Sequence, residues 1–217
     1  DIVFSLSKLT KKSAEKWVKK EIGPVVSPGI GAKKSLPPTI NKSHIIYIGR
    51  LEKSKRVDLI IHALSKIKNP PTLTICGTGS EKDYLFQLAK DLQVSVDFKG
   101  SISESEKWEF ISTSYFMIFP STFEGYGMPP MEALHFSKPC IASDLEIFRS
   151  IYGDYLEYFP VNDLDALISK IKFLLDNPDY CDQRGTKGSE FIRQNFSWER
   201  SSKIIEDSLL ELSSKHQ

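Results

Sequence analysis

The chain has 217 residues, with 29 Lys+Arg against 28 Asp+Glu for a formal net charge of +1, and is 40% apolar and 26% charged. That length suffices for one or two domains with a sizeable core, and the composition excludes a disordered tail. A charge balance near zero argues against a surface built to grip nucleic acid, and no apolar run approaches the ~20 residues that a bilayer span requires.

In chain order, residues 1–7 read as a strand, 11–21 as a helix and Val25-Val26 as a second short strand. The stretch Ser27-Pro28-Gly29-Ile30-Gly31 and Leu36-Pro37-Pro38 cannot continue either element, which makes it the boundary candidate of the chain. A lone βαβ unit cannot bury its own sheet faces, so the N-terminal piece needs a partner surface. From about residue 43 to about residue 180, short apolar runs alternate with amphipathic stretches, the pattern of a parallel sheet wrapped in helices. The strand candidates are Ile45-Ile46-Tyr47-Ile48, Leu73-Thr74-Ile75-Cys76, 94–98, 116–119 and Cys140-Ile141-Ala142, each bounded by Gly, Pro, Ser or Asn. Helices are expected over 57–68, 81–92, 105–113, 130–136, 145–151, 164–175 and 198–212; Val57, Ile60, Ile61, Leu64 and Ile67 share one face of the first. The fold class is therefore α/β, a Rossmann-like parallel sheet between helices with a helical C-terminal extension. The expected division is 1–40 as a remnant and linker, and 41–217 as the Rossmann-like domain.

Several familiar signatures are missing. The sequence has no Walker A run, no HExxH and no GxSxG. Cys76, Cys140 and Cys181 are widely spaced, with no CxxC, which points to a reducing compartment such as the cytoplasm. No apolar leader opens the chain, and the sequons Asn41-Lys42-Ser43 and Asn195-Phe196-Ser197 mean nothing without secretion. Asp163-Leu164-Asp165 has the form of a DxD metal motif, but it precedes an apolar periodic helix, so Asp163 reads as its cap. His44, His62, His135 and His216 have no partner pattern, and no metal site is expected.

The informative segment is Phe123-Glu124-Gly125-Tyr126-Gly127-Met128-Pro129-Pro130-Met131-Glu132, which follows a buried strand. Its glycines permit close backbone approach and Pro130 suits a first helical turn. The helix start then lies at the carboxyl end of a strand, where an open α/β sheet binds ligands and where backbone N–H groups favour an anion. Taken singly, Glu124 reads as a capping acid and Glu132 as a solvated surface residue. As a pair flanking one helix start, they can accept hydrogen bonds from sugar hydroxyls while the helix end holds a phosphate. Arg50 and Lys55, at a strand-to-helix junction, can clamp a diphosphate.

The Glu124-x7-Glu132 frame resembles the signature of the retaining glycosyltransferases of GT-B fold, the large family called family four or group one. The resemblance extends to the run from Tyr47 through Gly49-Arg50-Leu51 to Lys55, to Cys76-Gly77-Thr78-Gly79, to Phe98-Lys99-Gly100 and to Lys138-Pro139-Cys140-Ile141-Ala142-Ser143. It covers roughly residues 43–200. Arg56 stands where the family often has glycine; it and Lys53 read as ordinary surface cations. The resemblance implies that Arg50 and Lys55 hold the donor's pyrophosphate and that Glu124 contacts the donor sugar, the three forming the catalytic set. It also implies that Glu132 accepts the ribose hydroxyls, that Phe98, Gly100 and Ile102 line the base, and that Gly49, Gly77, Gly79, Gly125, Tyr126, Gly127 and Met128 border the donor. The donor would be a nucleotide-diphosphate hexose, GDP-mannose before a UDP-sugar, with no metal or other cofactor. A non-catalytic nucleotide-sugar or partner-binding module of the same fold is the alternative, and a sugar-nucleotide epimerase of similar fold ranks below it.

By the same resemblance, residues 1–26 correspond to the end of an acceptor-binding domain that would lie upstream of Asp1, followed by a linker at Pro28-Gly29. The chain, which opens on Asp, is then expected to be a piece of a longer enzyme, to bind its donor weakly and to transfer little alone. Its unpaired N-terminal segment is a candidate for homodimer contact, and the full enzyme for a cytoplasmic or membrane-peripheral place.

Overall fold

A computed structural model describes residues 2–31 and 42–214. Leu36-Pro37-Pro38, Asn41 of the first sequon and His216 lie outside the described residues.

The sheet has six strands: β1 (His44–Ile48), β2 (Thr72–Cys76), β3 (Val96–Gly100), β4 (Met117–Phe119), β5 (Cys140–Ser143) and β6 (Glu157–Phe159). All neighbours are parallel and the order is β3-β2-β1-β4-β5-β6. The central strands are apolar on both faces, as a doubly covered sheet demands; Ile45, Ile46, Tyr47, Met117, Ile118 and Ile141 are wholly buried. Nine α-helices accompany them among the described residues: α1 (Lys8–Val18), α2 (Val57–Ser65), α3 (Lys82–Asp91), α4 (Glu104–Thr113), α5 (Met128–His135), α6 (Glu146–Tyr152), α7 (Leu164–Asp176), α8 (Pro178–Asn195) and α9 (Trp198–Ser214), with a 3-10 turn at Lys53–Lys55. Helix α2 packs against α3 and α7, and α5 against α4 and α8. Right-handed crossovers running both ways from the sheet centre put these groups on opposite faces.

The expected elements are present, with shifts at their ends, and three findings differ. Residues 2–7 and Val25-Val26 form no strands; a single parallel bridge joins Ser5 to Val25. Helix α1 begins earlier than expected, because Ser7 caps it by accepting from the Thr10 amide. Strand β6 and the long α8 lie beyond the expected set, so the packed body runs past residue 180. Glu157 can be buried in β6 because Lys170, Tyr180 and Arg184 surround it at 2.7 to 3.1 Å. At the start of α7, Asp163 accepts from the Ala166 amide at 2.9 Å, the cap expected of it.

Candidate functional site

Strand order reverses between β1 and β4, whose pairing is confined to Ile46 and Met117. Loops leaving the carboxyl ends of these two strands run in opposite directions and leave a crevice between them. The residues singled out from the sequence converge there from β1, β2, β3 and β4, although they are not all equivalent.

The tightest junction joins the loops after β1 and β4. The Thr122 amide and hydroxyl both donate to the Ser54 carbonyl, at 2.8 and 3.2 Å. This docks the β4–α5 loop on the 3-10 turn. Beside it, Lys55 Nζ lies 2.6 Å from Glu124 Oε1, and the Ser121 hydroxyl donates to the same oxygen at 2.8 Å. The Lys55 and Glu124 side chains are only 12% and 11% exposed. Glu124 is therefore the anionic half of a nearly buried ion pair and caps no helix. Arg50 differs: its side chain is 73% exposed and reaches Glu52 at 2.8 Å. Arg50 and Lys55 thus do not form a ready-made two-cation clamp; Lys55 is paired with a nearly buried carboxylate and Arg50 with a more exposed one.

The loop after β1 is held from below by Tyr47, wholly buried, whose hydroxyl donates to the Arg50 carbonyl at 2.9 Å. Burial, with Glu124 and Glu52 nearby, raises the Tyr47 pKa far above that of a free phenol. Tyr47 stacks on Phe119, whose ring meets Phe148, which in turn meets Tyr152. This aromatic series ties β1 and β4 to α6 under the crevice.

Gly49, Gly77 and Gly79 join the loops after β1 and β2 backbone to backbone. The Gly49 amide donates to the Cys76 carbonyl and the Leu51 amide to the Thr78 carbonyl, at 3.0 and 2.8 Å. At Gly77, with φ +145°, a Cβ would lie 1.9 Å from the Gly49 oxygen. The first role of Gly77 and Gly79 is close packing of the two loops.

At the α5 start, Gly127 is the N-cap with φ +83°, and no side chain caps the helix. A Cβ on Gly127 would meet the Phe148 ring at 2.4 Å, and the Tyr152 hydroxyl donates to the Gly127 carbonyl. The helix end is held, but its donors are fewer than a usual first turn offers. Pro129 and Pro130 carry no N–H, so the amides available near the tip are those of Gly127 and Met128. Gly125 is exposed, whereas Tyr126 is buried, which pushes its hydroxyl up to about 12.

Glu132 is not a solvated surface residue. It is 7% exposed, and the Lys107 ammonium lies 2.8 Å from its Oε1. Burial raises the Glu132 pKa, and Lys107 opposes that shift. Lys107 also bonds Glu104 at 2.9 Å; burial disfavours its ammonium, but the two carboxylates outweigh that and raise its pKa. An open cleft of about 330 Å³ lies alongside, bordered by Gly49, Arg50, Gly77, Gly100, Ile102 and Lys107. Phe98 does not border it, because its ring packs edge-on against Phe86, with centroids 5.8 Å apart. Lys107 is the residue that sequence reasoning missed. It lies between α4 glutamates on an ordinary-looking charged helix, and nothing in its spacing announces a bond across 25 positions.

Among the described residues, no cluster of three or more His, Cys, Asp or Glu side chains is placed to hold a metal ion, and no helix is long and apolar enough to cross a membrane.

Residues 32–191 match the family model described as Glycosyl transferases group 1. The chain is 25% identical over 169 residues to a glycogen synthase of Mycobacterium tuberculosis, covering 75% of this chain and 41% of that protein. It is 30% identical over 109 residues to the O-antigen chain mannosyltransferase RfbU of Salmonella typhimurium, covering 49% of this chain and 31% of that one. In fold, it resembles S. aureus TarM, solved in complex with fondaparinux, alpha-GlcNAc-glycerol and UDP, with a TM-score of 0.82 at 22% identity over 96% of this chain and 43% of that chain. The chain therefore spans less than half the length of these relatives.

Proposed function

The chain belongs to the group 1 glycosyltransferases, and from that premise we propose that residues 41–217 are the donor-binding domain of a retaining hexosyltransferase. The observation that carries the proposal is the Lys55–Glu124 pair, which links the loops of β1 and β4 at the reversal of strand order. A carboxylate held this way, at the mouth of a crevice, can face a sugar's hydroxyls. Arg50, largely exposed and paired with Glu52, can swing onto a diphosphate. With Lys55 and the amides of Gly127 and Met128, it would stabilise the departing nucleotide diphosphate as the glycosidic bond breaks through an oxocarbenium-like state. Those cationic groups can serve where another enzyme would use a metal. Glu132 would take the ribose hydroxyls, and Gly100 and Ile102 would border the base.

For the donor, GDP-mannose stands ahead of a UDP-sugar. RfbU is named a mannosyltransferase, while the TarM structure contains UDP. Acceptor binding would fall to a further domain, of which residues 1–26 are the last piece and the stretch on to residue 40 the linker. Val3, Leu6, Trp17 and Val18, all more than half exposed, support this, because a covering surface would suit them. The isolated chain would then bind its donor but transfer little, in a cytoplasmic or membrane-peripheral enzyme.

Calorimetric titration with GDP, UDP, ADP and their sugar conjugates tests the reading, using the wild type and Glu132→Ala. Saturable binding of one nucleotide, lost in the variant, is expected. Equal heats for both proteins, or no nucleotide bound at millimolar concentration, would overturn it.

A further inference from the structure

The pair formed by Lys107 and Glu132 carries a second inference, which rests on the donor-site reading above. Helix α4 begins with a capping box in which Ser103 and Glu106 bond reciprocally, so the register of its first turn is fixed. Lys107 follows directly, and its ammonium sits between Glu104 of its own helix and Glu132 of α5. It also lies 4.0 Å from the centroid of the Trp108 ring, whose other neighbour is Phe136, just past the end of α5. Two carboxylates and an aromatic face thus hold one ammonium in place, and its side chain is only 18% exposed.

The bond occupies Glu132 Oε1 and leaves Oε2 with no bonded side chain among the described residues. Glu132 is 7% exposed and touches Lys107, which lines the cleft. The charged and titratable groups that bear on Glu132 are Lys107 and Glu104 from α4 and the Tyr152 hydroxyl from α6. Lys107 is the one cation among them.

We propose that Lys107 is a positioning residue of the donor site: it holds the Glu132 carboxylate ionised and oriented by one oxygen, so that the other accepts hydroxyl groups of a nucleoside diphosphate's ribose. A protonated carboxyl would offer one acceptor fewer and its own O–H donor, and a vicinal diol binds best to the anion. Burial alone pushes Glu132 towards that protonated form. Removing the ammonium therefore costs ligand affinity at the acid end of the pH range and much less at the alkaline end.

The experiment has two arms. In the first, the side-chain carboxyl carbon of Glu132 is titrated by 13C NMR in the unliganded wild type, Lys107→Met and Lys107→Arg, with thermal melts confirming that each is folded. The midpoint is expected to rise by about one unit or more in Lys107→Met and to return towards wild type in Lys107→Arg. An unchanged midpoint in Lys107→Met overturns the proposal. In the second arm, GDP, UDP and ADP are titrated calorimetrically at pH 6 and pH 8. Lys107→Met is expected to lose affinity from pH 8 to pH 6 by a larger factor than wild type or Lys107→Arg does, the excess being the part owed to Glu132. If wild type binds and Lys107→Met matches it at both pH values, the positioning role fails while the donor-site reading survives. If wild type binds none of the three nucleotides, the donor-site reading falls, and this role with it, whatever the NMR midpoints.

Discussion

Lys55 and Glu124 are each other's main electrostatic partner, and both are nearly buried. Removing one charge strands the other, which typically costs about 3 kcal/mol, whereas replacing both is far milder. Lys55→Met is therefore expected to lower urea stability by about that amount, and Lys55→Met with Glu124→Gln to recover most of it. A double-variant loss equal to the sum of the singles would contradict the pairing. Lys138, between α5 and β5, presents the opposite case: it is 2% exposed and its ammonium has no hydrogen-bond partner among the described residues. Burial lowers its pKa to about 8, with Asp182 only partly compensating. The unfolded chain, with the ordinary lysine value of 10.5, holds that proton more tightly. The penalty is therefore full below pH 8 and fades as pH rises from 8 towards 10.5. Lys138→Met should stabilise the protein by ~1–3 kcal/mol at pH 7, and its advantage should shrink at pH 10. A stability gain independent of pH would assign the effect to packing instead.

Glycine in a helix interior normally weakens it by about 1 kcal/mol relative to alanine. On α8, Gly185 and Gly188 are there for another reason. A Cβ at Gly185 would lie 2.0 Å from the Ser137 carbonyl oxygen, and one at Gly188 would lie 2.6 Å from Leu134. These glycines let α8 lie directly on α5 and the turn after it. Gly185→Ala should therefore lower the melting temperature despite its better helix propensity; a rise would mean that α8 has room to move away. The same residues explain why α8 could not be read from sequence. A polar helix containing two glycines has little apolar stripe, and its burial depends on a neighbour distant in the chain. Strand β6 was equally hidden, because Glu157 looks solvated until Lys170, Tyr180 and Arg184 are placed around it. Strands β1, β2, β4 and β5 were legible because a strand covered on both faces is apolar without interruption. Of the candidate site, the loops and the Glu124-x7-Glu132 frame were readable from residue type and spacing. The partners of those carboxylates, Lys55 and Lys107, were not. The strand-to-helix position of Lys55 suggests a phosphate role, and no local pattern pairs it with Glu124 or Lys107 with Glu132.

At the scale of the whole molecule, the described residues divide by how deeply they are embedded. No residue of α1 is buried, and residues 2–26 meet the body mainly where α1 lies on α6 and Leu9 packs against the core. By contrast, Ser27 accepts a hydrogen bond from Ser201, and a Cβ on Gly29 would strike the Trp198 backbone, so the segment just beyond is seated against α9. Hydrogen–deuterium exchange should reflect this. Amides in residues 2–26 are expected to exchange within the earliest time points, and those of β1, β4 and β5 to be the slowest in the chain. Protection of α1 matching that of β1 would contradict the shallow seat of α1, none of whose residues is buried.

The Lys55–Glu124 contact spans 69 positions in sequence. Closing so long a loop is entropically slow, and parallel strands offer no hairpin shortcut. The crevice can thus come into being only after the two halves of the sheet have met at β1 and β4, so it is a late product of folding. A ligand bound there recognises the finished chain and ignores partly folded ones. At a hundredfold excess over its dissociation constant, it would add about 2.7 kcal/mol to the native state. Supply of that ligand during refolding would therefore govern how much native protein accumulates, and recovery after denaturation becomes a measure of the ligand itself.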